Sequence, residues 1–113
     1  VWGIVQLLKK SGVFSDIQVM ELIDEEWVKV VKIKAEVSDG TLLYIHESYR
    51  ANSHKYSYHW QEGDGKIIKR WDNSPHWESI STFPYHKHIG DEVFPCPKMM
   101  ITDVIDEIGK RLL

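Results

Sequence analysis

The chain contains a single cysteine, Cys96. One thiol closes no intramolecular disulfide, so the reducing cytoplasm is the expected compartment. Cys96 sits in FPCP, between two prolines and far from any histidine, and reads as a small, partly buried residue rather than a nucleophile. Long apolar runs are also missing, so no helical membrane span and no membrane partner are expected. No basic start leads into an apolar core with a small-residue cleavage site, and no signal peptide is expected. Repeats, low-complexity tracts and linkers are absent. One domain is expected over residues 1–113, long enough to bury roughly two-thirds of its unfolded surface. Nor is there an excess of positive charge: 14 Lys plus Arg face 17 acids, for a net charge of −3, which excludes a strongly basic nucleic-acid binder. Hydrophobic content of 42% excludes a disordered chain.

What is present is unevenly placed. All six histidines fall between His46 and His88. Residues 44–98 hold seven Lys plus Arg and seven acids, so this region is neutral at high pH. It turns cationic as imidazoles protonate near their ordinary pKa of about 6.5. A polyanion partner suits such a region.

Trp2 to Lys10 (WGIVQLLKK) reads as a short helix, with Trp2, Val5 and Leu8 on one stripe beside Ile4 and with Ser11-Gly12 as its stop. Ile17 to Ile23 reads as a strand, followed by a charged turn at Asp24-Glu25-Glu26. Trp27 to Val37 alternates: Trp27, Val31, Ile33, Ala35 and Val37 take one face, and Lys32, Lys34 and Glu36 the other. Ser38-Asp39-Gly40 is a hairpin signal, and Thr41 to Tyr49 returns as the next strand. A loop of two or of three residues there puts His46 on opposite faces, and both remain open. His54 to Gln61 and Lys66 to Asp72 flank a second hairpin at Glu62-Gly63-Asp64-Gly65. Asn73-Ser74-Pro75 breaks the last strand, and residues 76–100 read mostly as loop. Ile101 to Leu112 closes with a helix whose apolar stripe is Ile101, Val104, Ile105, Ile108 and Leu112, with Thr102 as N-cap. The fold class is α+β: a meandering, curved antiparallel five-stranded sheet with an N-terminal and a C-terminal helix packed on one face.

The second hairpin carries a facing argument. A loop of two or of four residues puts Tyr56, Tyr58, Trp60, Ile67, Lys69 and Trp71 on one face. Ser57, His59, Gln61, Ile68, Arg70 and Asp72 then share the other, and an odd loop breaks this grouping. His59, Arg70 and Asp72 come within cross-strand reach of one another. Beyond them lie His76 and the pair His86 and His88, whose period-two spacing projects both rings the same way if extended.

These same residues carry a resemblance. YSYHWQ, RWDNSPH and TFPYHKH, with the SDG hairpin upstream and a short closing helix, resemble the TumE family of toxin–antitoxin toxins over nearly the whole chain. Trp77 and Tyr85 stand where family members often carry histidine. The resemblance implies a small prokaryotic cytoplasmic protein, paired with a helix-turn-helix antitoxin and acting in growth arrest.

Three chemistries fit the residues. The first is a metal-independent endoribonuclease, which needs a base for the 2′-OH, an acid for the leaving oxygen and a cation at the phosphate. His59 with His76 or His88 fills the proton roles, Asp72 orients a histidine, and Arg70 and Lys87 meet the phosphate. Tyr56, Tyr58, Trp60 and Trp71 are candidates to stack bases, and Asn73 and His86 join the substrate-binding set. This reading needs no cofactor. The second is a metal-dependent nuclease, with His76, His86 and His88, beside Asp72, as ligands for zinc or manganese. The third is a non-enzymatic binding module: a meander leaves two sheet edges, open to an antitoxin strand or to a second copy of the chain. The plainer readings are an Arg70–Asp72 ion pair worth at most about 1 kcal/mol if exposed, and surface strand positions for His46 and His54.

Overall fold

Alternation in WVKVVKIKAEV is the strongest local signal, and it builds the centre of the sheet. A computed structural model describes residues 2–113, Trp2 by its backbone alone, so the place of the Trp2 side chain on its helix stripe lies outside the described residues. The elements run α1 (Trp2–Ser11), β1 (Phe14–Asp24), β2 (Val28–Val37), β3 (Leu42–Arg50), β4 (Ser53–Gln61) and β5 (Ile67–Asp72). They continue with β6 (His86–Ile89), β7 (Glu92–Pro95) and α2 (Ile101–Arg111). The seven strands form one antiparallel sheet in chain order, and the sheet does not close. The expectation of five strands is therefore corrected: β6 and β7 lie within the stretch read as loop. Four-residue strands with a mixed polar pattern carry little periodic signal, although Gly90-Asp91, between the paired Ile89 and Glu92, is a two-residue hairpin turn.

Both helices cover the same sheet face. Val31, Ile33, Ala35 and Val37 of β2 are buried there with Leu43, Ile45, Tyr58, Trp60 and Trp71, against Leu8 of α1 and Val104 and Ile108 of α2. Each large aliphatic side chain buried in this way contributes about 1.5–3 kcal/mol. Trp27 departs from its expected place: it precedes β2 and is 75% exposed. The α2 cap also differs. Helix α2 starts at Ile101, and Asp103 Oδ2 reaches back to accept the Met100 amide at 2.8 Å, so the boundary lies at Met100 and Thr102 is inside the helix.

The two hairpins decide what faces solvent. In the first, the Val37 amide donates to Thr41 O and the Gly40 amide to Val37 O, which closes a three-residue loop with Gly40 at φ +89°. His46 thereby stands opposite Lys32, on the face away from the helices. In the second, the Glu62 amide donates to Lys66 O and the Gly65 amide to Glu62 O, again closing three residues with Gly65 at φ +96°. An odd loop should have split His59 from Arg70. It does not, because β5 carries a bulge: Gln61 pairs with Ile67 but Trp60 with Lys69, which leaves Ile68 as the extra residue. Ile68, expected on the polar face, instead packs against the core, and Ile67 comes opposite Gln61.

Candidate functional site

The register of β4, β5 and β6 sets two rows across the face that the helices leave open. Ser57, Asp72 and His86 form one row, and His59, Arg70 and His88 the next. The rows continue over β3 as His46 and Tyr44, and over β2 as Lys32 and Lys34. Ser74 to Trp77 fold back over the β5–β6 end, where the Trp77 ring stands edge-on to His86 and His88 at centroid distances of 6.3 and 6.0 Å.

Asp72 is the hub of this face. Its Oδ1 accepts the Ser74 amide at 3.0 Å and the Ser74 hydroxyl at 2.8 Å, in a local turn that the sequence Asp-Asn-Ser-Pro favours. Its Oδ2 accepts Arg70 Nε at 3.0 Å. His86 Nε2 lies 2.9 Å from Oδ1, and His88 Nε2 lies 3.4 Å from Oδ2. Burial by itself would raise the Asp72 carboxyl. The Ser74 and Arg70 hydrogen bonds hold it below the ordinary carboxylate value instead. Arg70 Nη1 reaches His59 Nδ1 at 3.4 Å, and His59 Nε2 meets Gln61 Oε1 at 3.0 Å. That pairing puts the proton on Nε2 and the lone pair on Nδ1. Burial lowers the His59 pKa, Gln61 opposes the shift, and the Arg70 charge adds to it, so the ring is neutral at neutral pH.

Two hollows meet over these rows, sharing His46, Ser57 and Arg70. One, of about 440 Å³, adds Lys55, Asp72 and His76. The other, of about 480 Å³, adds Lys32, Lys34, Tyr44 and His59. Asp72 is the one acid lining either hollow among the described residues, and Arg70 neutralises it. Lys32 is paired with Glu21 at 3.3 Å, and Lys34 and Lys55 leave the hollows cationic in a chain of net charge −3.

His59, Arg70 and Asp72 are brought together, as the facing argument expected. His76 is exposed on the rim of the first hollow, apart from the Asp72–His86–His88 group. The ligand set of His76, His86 and His88 is therefore corrected: the donors that cluster are Asp72, His86 and His88. Other expected contacts fail on burial or on face. Tyr58 and Trp71 are fully buried and the Tyr56 and Trp60 rings are packed in the core, so none offers a face to a base. His86 is 1% exposed and cannot touch a substrate directly. Lys87 pairs with Trp71 and so points to the helix side, away from Arg70. Asn73 is occupied with β4: its Oδ1 accepts the Tyr56 amide at 3.0 Å and its Nδ2 donates to His54 O at 2.8 Å. His54 turns to the helix side, stacked on Tyr49 at 4.2 Å.

The site also holds residues that the sequence reading passed over. His46 and Tyr44 follow from the three-residue first loop, which the glycine at its third position signals. Lys55 and Ser57 follow from alternation along β4. Tyr44 and Trp77, at 38% and 42% exposure, are the accessible aromatics beside the site.

Among the described residues no helix is long and apolar enough to cross a membrane. No curated protein and no solved structure matches the chain. A family model does: that of Toxin TumE matches residues 4–112. A match over that length places nearly the whole chain within the Toxin TumE family, whose members are the toxins of toxin–antitoxin pairs and so act opposite an antitoxin.

Proposed function

We propose that this toxin arrests growth by cleaving RNA at the open face of its sheet, using histidine acid–base chemistry. The observation that carries the reading is the pair of cationic hollows centred on Arg70, with a neutral imidazole beside them. The RNA backbone lies along Lys34 and Lys55, whose charges suit phosphates. Tyr44 and Trp77 offer ring faces to unpaired bases. His59, neutral at neutral pH, takes the 2′-OH proton. The oxygen released attacks the adjacent phosphorus, and the P–O bond to the 5′-oxygen breaks. His76, exposed on the rim of the adjoining hollow, returns a proton to that 5′-oxygen. Arg70, held in orientation by Asp72, meets the charge that builds on the phosphate. Asp72 is then a positioning residue, and His88 acts through it. The antitoxin of this reading is of the helix-turn-helix type, an assignment resting on the resemblance described above.

Cleavage of a mixed-sequence RNA by the purified chain, with and without EDTA, tests the reading over a range from about pH 5 to about pH 9. The expected result is cleavage that survives EDTA, with an acidic limb below the ordinary histidine value because His59 is shifted down. No cleavage by folded protein would overturn it.

That outcome favours a second reading, a module that acts by docking. The order β1 to β7 leaves β1 and β7 as edges, and an added strand at either would complete their backbone hydrogen bonds. This reading makes toxicity sensitive to proline substitution on the outer edge of β1 and indifferent to His59→Ala.

A further inference from the structure

We propose that Asp72, His86 and His88 bind a divalent first-row transition ion, zinc being the one their donors suit best. The three side chains offer one donor atom each, all within 4.8 Å of one another. Two imidazole nitrogens and a carboxylate are ligands of zinc, manganese or iron, and the free thiol Cys96 is no member of the group. His86 Nε2 lies 2.9 Å from Asp72 Oδ1 and His88 Nε2 3.4 Å from Asp72 Oδ2, so each imidazole nitrogen stands about one coordination edge from a carboxylate oxygen. Metal–ligand bonds of about 2.0–2.1 Å give edges of roughly 3.3–3.4 Å in a tetrahedron and roughly 2.8–3.0 Å in an octahedron.

The orientation of His86 is the second observation. Its Nδ1 lies 2.9 Å from Pro84 O, which accepts only, so Nδ1 carries the proton. The neutral ring then presents a bare lone pair at Nε2. That nitrogen is buried and has no hydrogen-bond partner: Oδ1 is near in distance, but an N–H on Nε2 would not be aligned with it. A buried, unpartnered nitrogen aimed among two other donors is unfavourable unless something fills the gap. An imidazole whose far nitrogen is fixed by a backbone carbonyl is the usual arrangement of a metal-bound histidine, and ligating carboxylates are themselves hydrogen-bonded, as Asp72 is by Ser74. Trp77 stands edge-on over both rings and limits access by water. Three protein donors leave a coordination position open, as at catalytic rather than structural zinc sites. Arg70 works against the site, since it adds positive charge and engages Oδ2. The inference stands apart from the RNA reading, because the donors and their orientation are the same whatever the toxin acts on.

The test is uptake of metal by the full, tag-free chain after chelator treatment, with no RNA present. ZnCl₂ is titrated by calorimetry and CoCl₂ by visible absorption. One ion per chain is expected, with cobalt d–d bands displaced by zinc. Asp72→Asn and His86→Ala each weaken binding by about 100-fold or more, whereas His76→Ala leaves it unchanged. Arg70→Gln tightens it. Should the ligand variants misfold, X-ray absorption at the zinc edge of the wild-type chain reads the same claim, as two imidazoles and one carboxylate. No saturable uptake of zinc or cobalt by folded wild type overturns the site, as does binding that survives His86→Ala but not His76→Ala. So does a wild-type His86 ring that NMR finds protonated on both nitrogens with zinc present. Zinc uptake without RNA cleavage would sink the RNA reading alone; RNA cleavage without uptake of either ion would sink this site alone.

Discussion

On the helix side of the β4–β5 ladder Tyr58 faces Trp71 and Trp60 faces Lys69; on the other side Ser57 faces Asp72 and His59 faces Arg70. These are alternate residues of the same two strands, and they treat their polar groups in opposite ways. On the helix side the polar tips of this ladder and its neighbours are closed off in pairs, the buried and unpartnered His54 Nε2 excepted. Trp60 Nε1 donates to Thr41 Oγ1 at 2.9 Å, Lys69 Nζ meets Glu107 at 2.9 Å, and the Tyr58 hydroxyl donates to Glu47. On the open side, donors converge on one carboxylate: Ser74 and Arg70 already occupy Asp72, and His86 and His88 stand beside it. Lys34, Lys55 and His76 line the same face. A surface with more donors than acceptors is poised for an anion from outside, whereas a surface of closed pairs is poised only to stay folded.

Breaking each side in turn should separate those two roles. Trp71→Ala empties one of the largest buried volumes and is expected to cost about 3–5 kcal/mol, with toxicity lost because the fold is lost. Urea unfolding measures the first and growth arrest the second. His59→Ala, one residue along on the partner strand, is expected to lower RNA cleavage by about 10²–10⁴-fold while the urea midpoint stays close to wild type. Equal loss of stability in the two variants would mean that the open face is merely more core.

A finer break concerns the bulge. Deleting Ile68 removes the extra residue of β5 but keeps Gln61 opposite Ile67 and Trp60 opposite Lys69, so the ladder becomes regular and His59 still faces Arg70. The expected result is a loss of about 1–2 kcal/mol, from one partly buried side chain, with cleavage retained. Inserting one residue into β5 beside Ile68 shifts the pairing by one and sends Arg70 to the helix side. Cleavage by the deletion variant and none by the insertion variant would establish that facing, and not strand length, makes the site.

The bulge also marks how far the sequence could be read. Alternation in β2 and the helix-period stripe of α2 announced the core directly, because burial repeats at the period of the element. The grouping of His59, Arg70 and Asp72 was reached from an even loop length. The structure reaches it from an odd loop and a compensating bulge, and a bulge leaves no mark on periodicity. Ligand type alone grouped Asp72 with His76, His86 and His88; which of those donors meet was out of reach for another reason. It depends on β6 pairing with β5 across a thirteen-residue excursion, Asn73 to Tyr85, and no local propensity encodes such a pairing. Lys87 shows the cost of that gap: without the pairing, its side of the sheet could not be assigned.

The smallest expected effect distinguishes the two faces by proton uptake. His46 and His59 on the open face and His54 on the helix side are all shifted below the ordinary imidazole value, in each case chiefly by burial. Lys32 adds to the shift of His46 while Glu21 opposes it; Gln61 opposes that of His59 while Arg70 adds to it; Glu47 opposes that of His54 while Lys98 adds to it. An unfolded imidazole takes up its proton near about pH 6.5, and these folded ones resist it until the pH is lower. Their contribution to stability is therefore complete above about pH 6.5 and declines as the pH falls below it. Thermal unfolding in EDTA should give a Tm that drops between about pH 7.5 and about pH 5.5. His54→Gln should flatten that drop without touching cleavage, because its ring lies on the helix side, stacked on Tyr49 and away from the open face. His59→Gln should flatten it and abolish cleavage together. A Tm that is level or rises on acidification would contradict the assignment of these rings as neutral in the folded chain, and with it the role of His59 as the base.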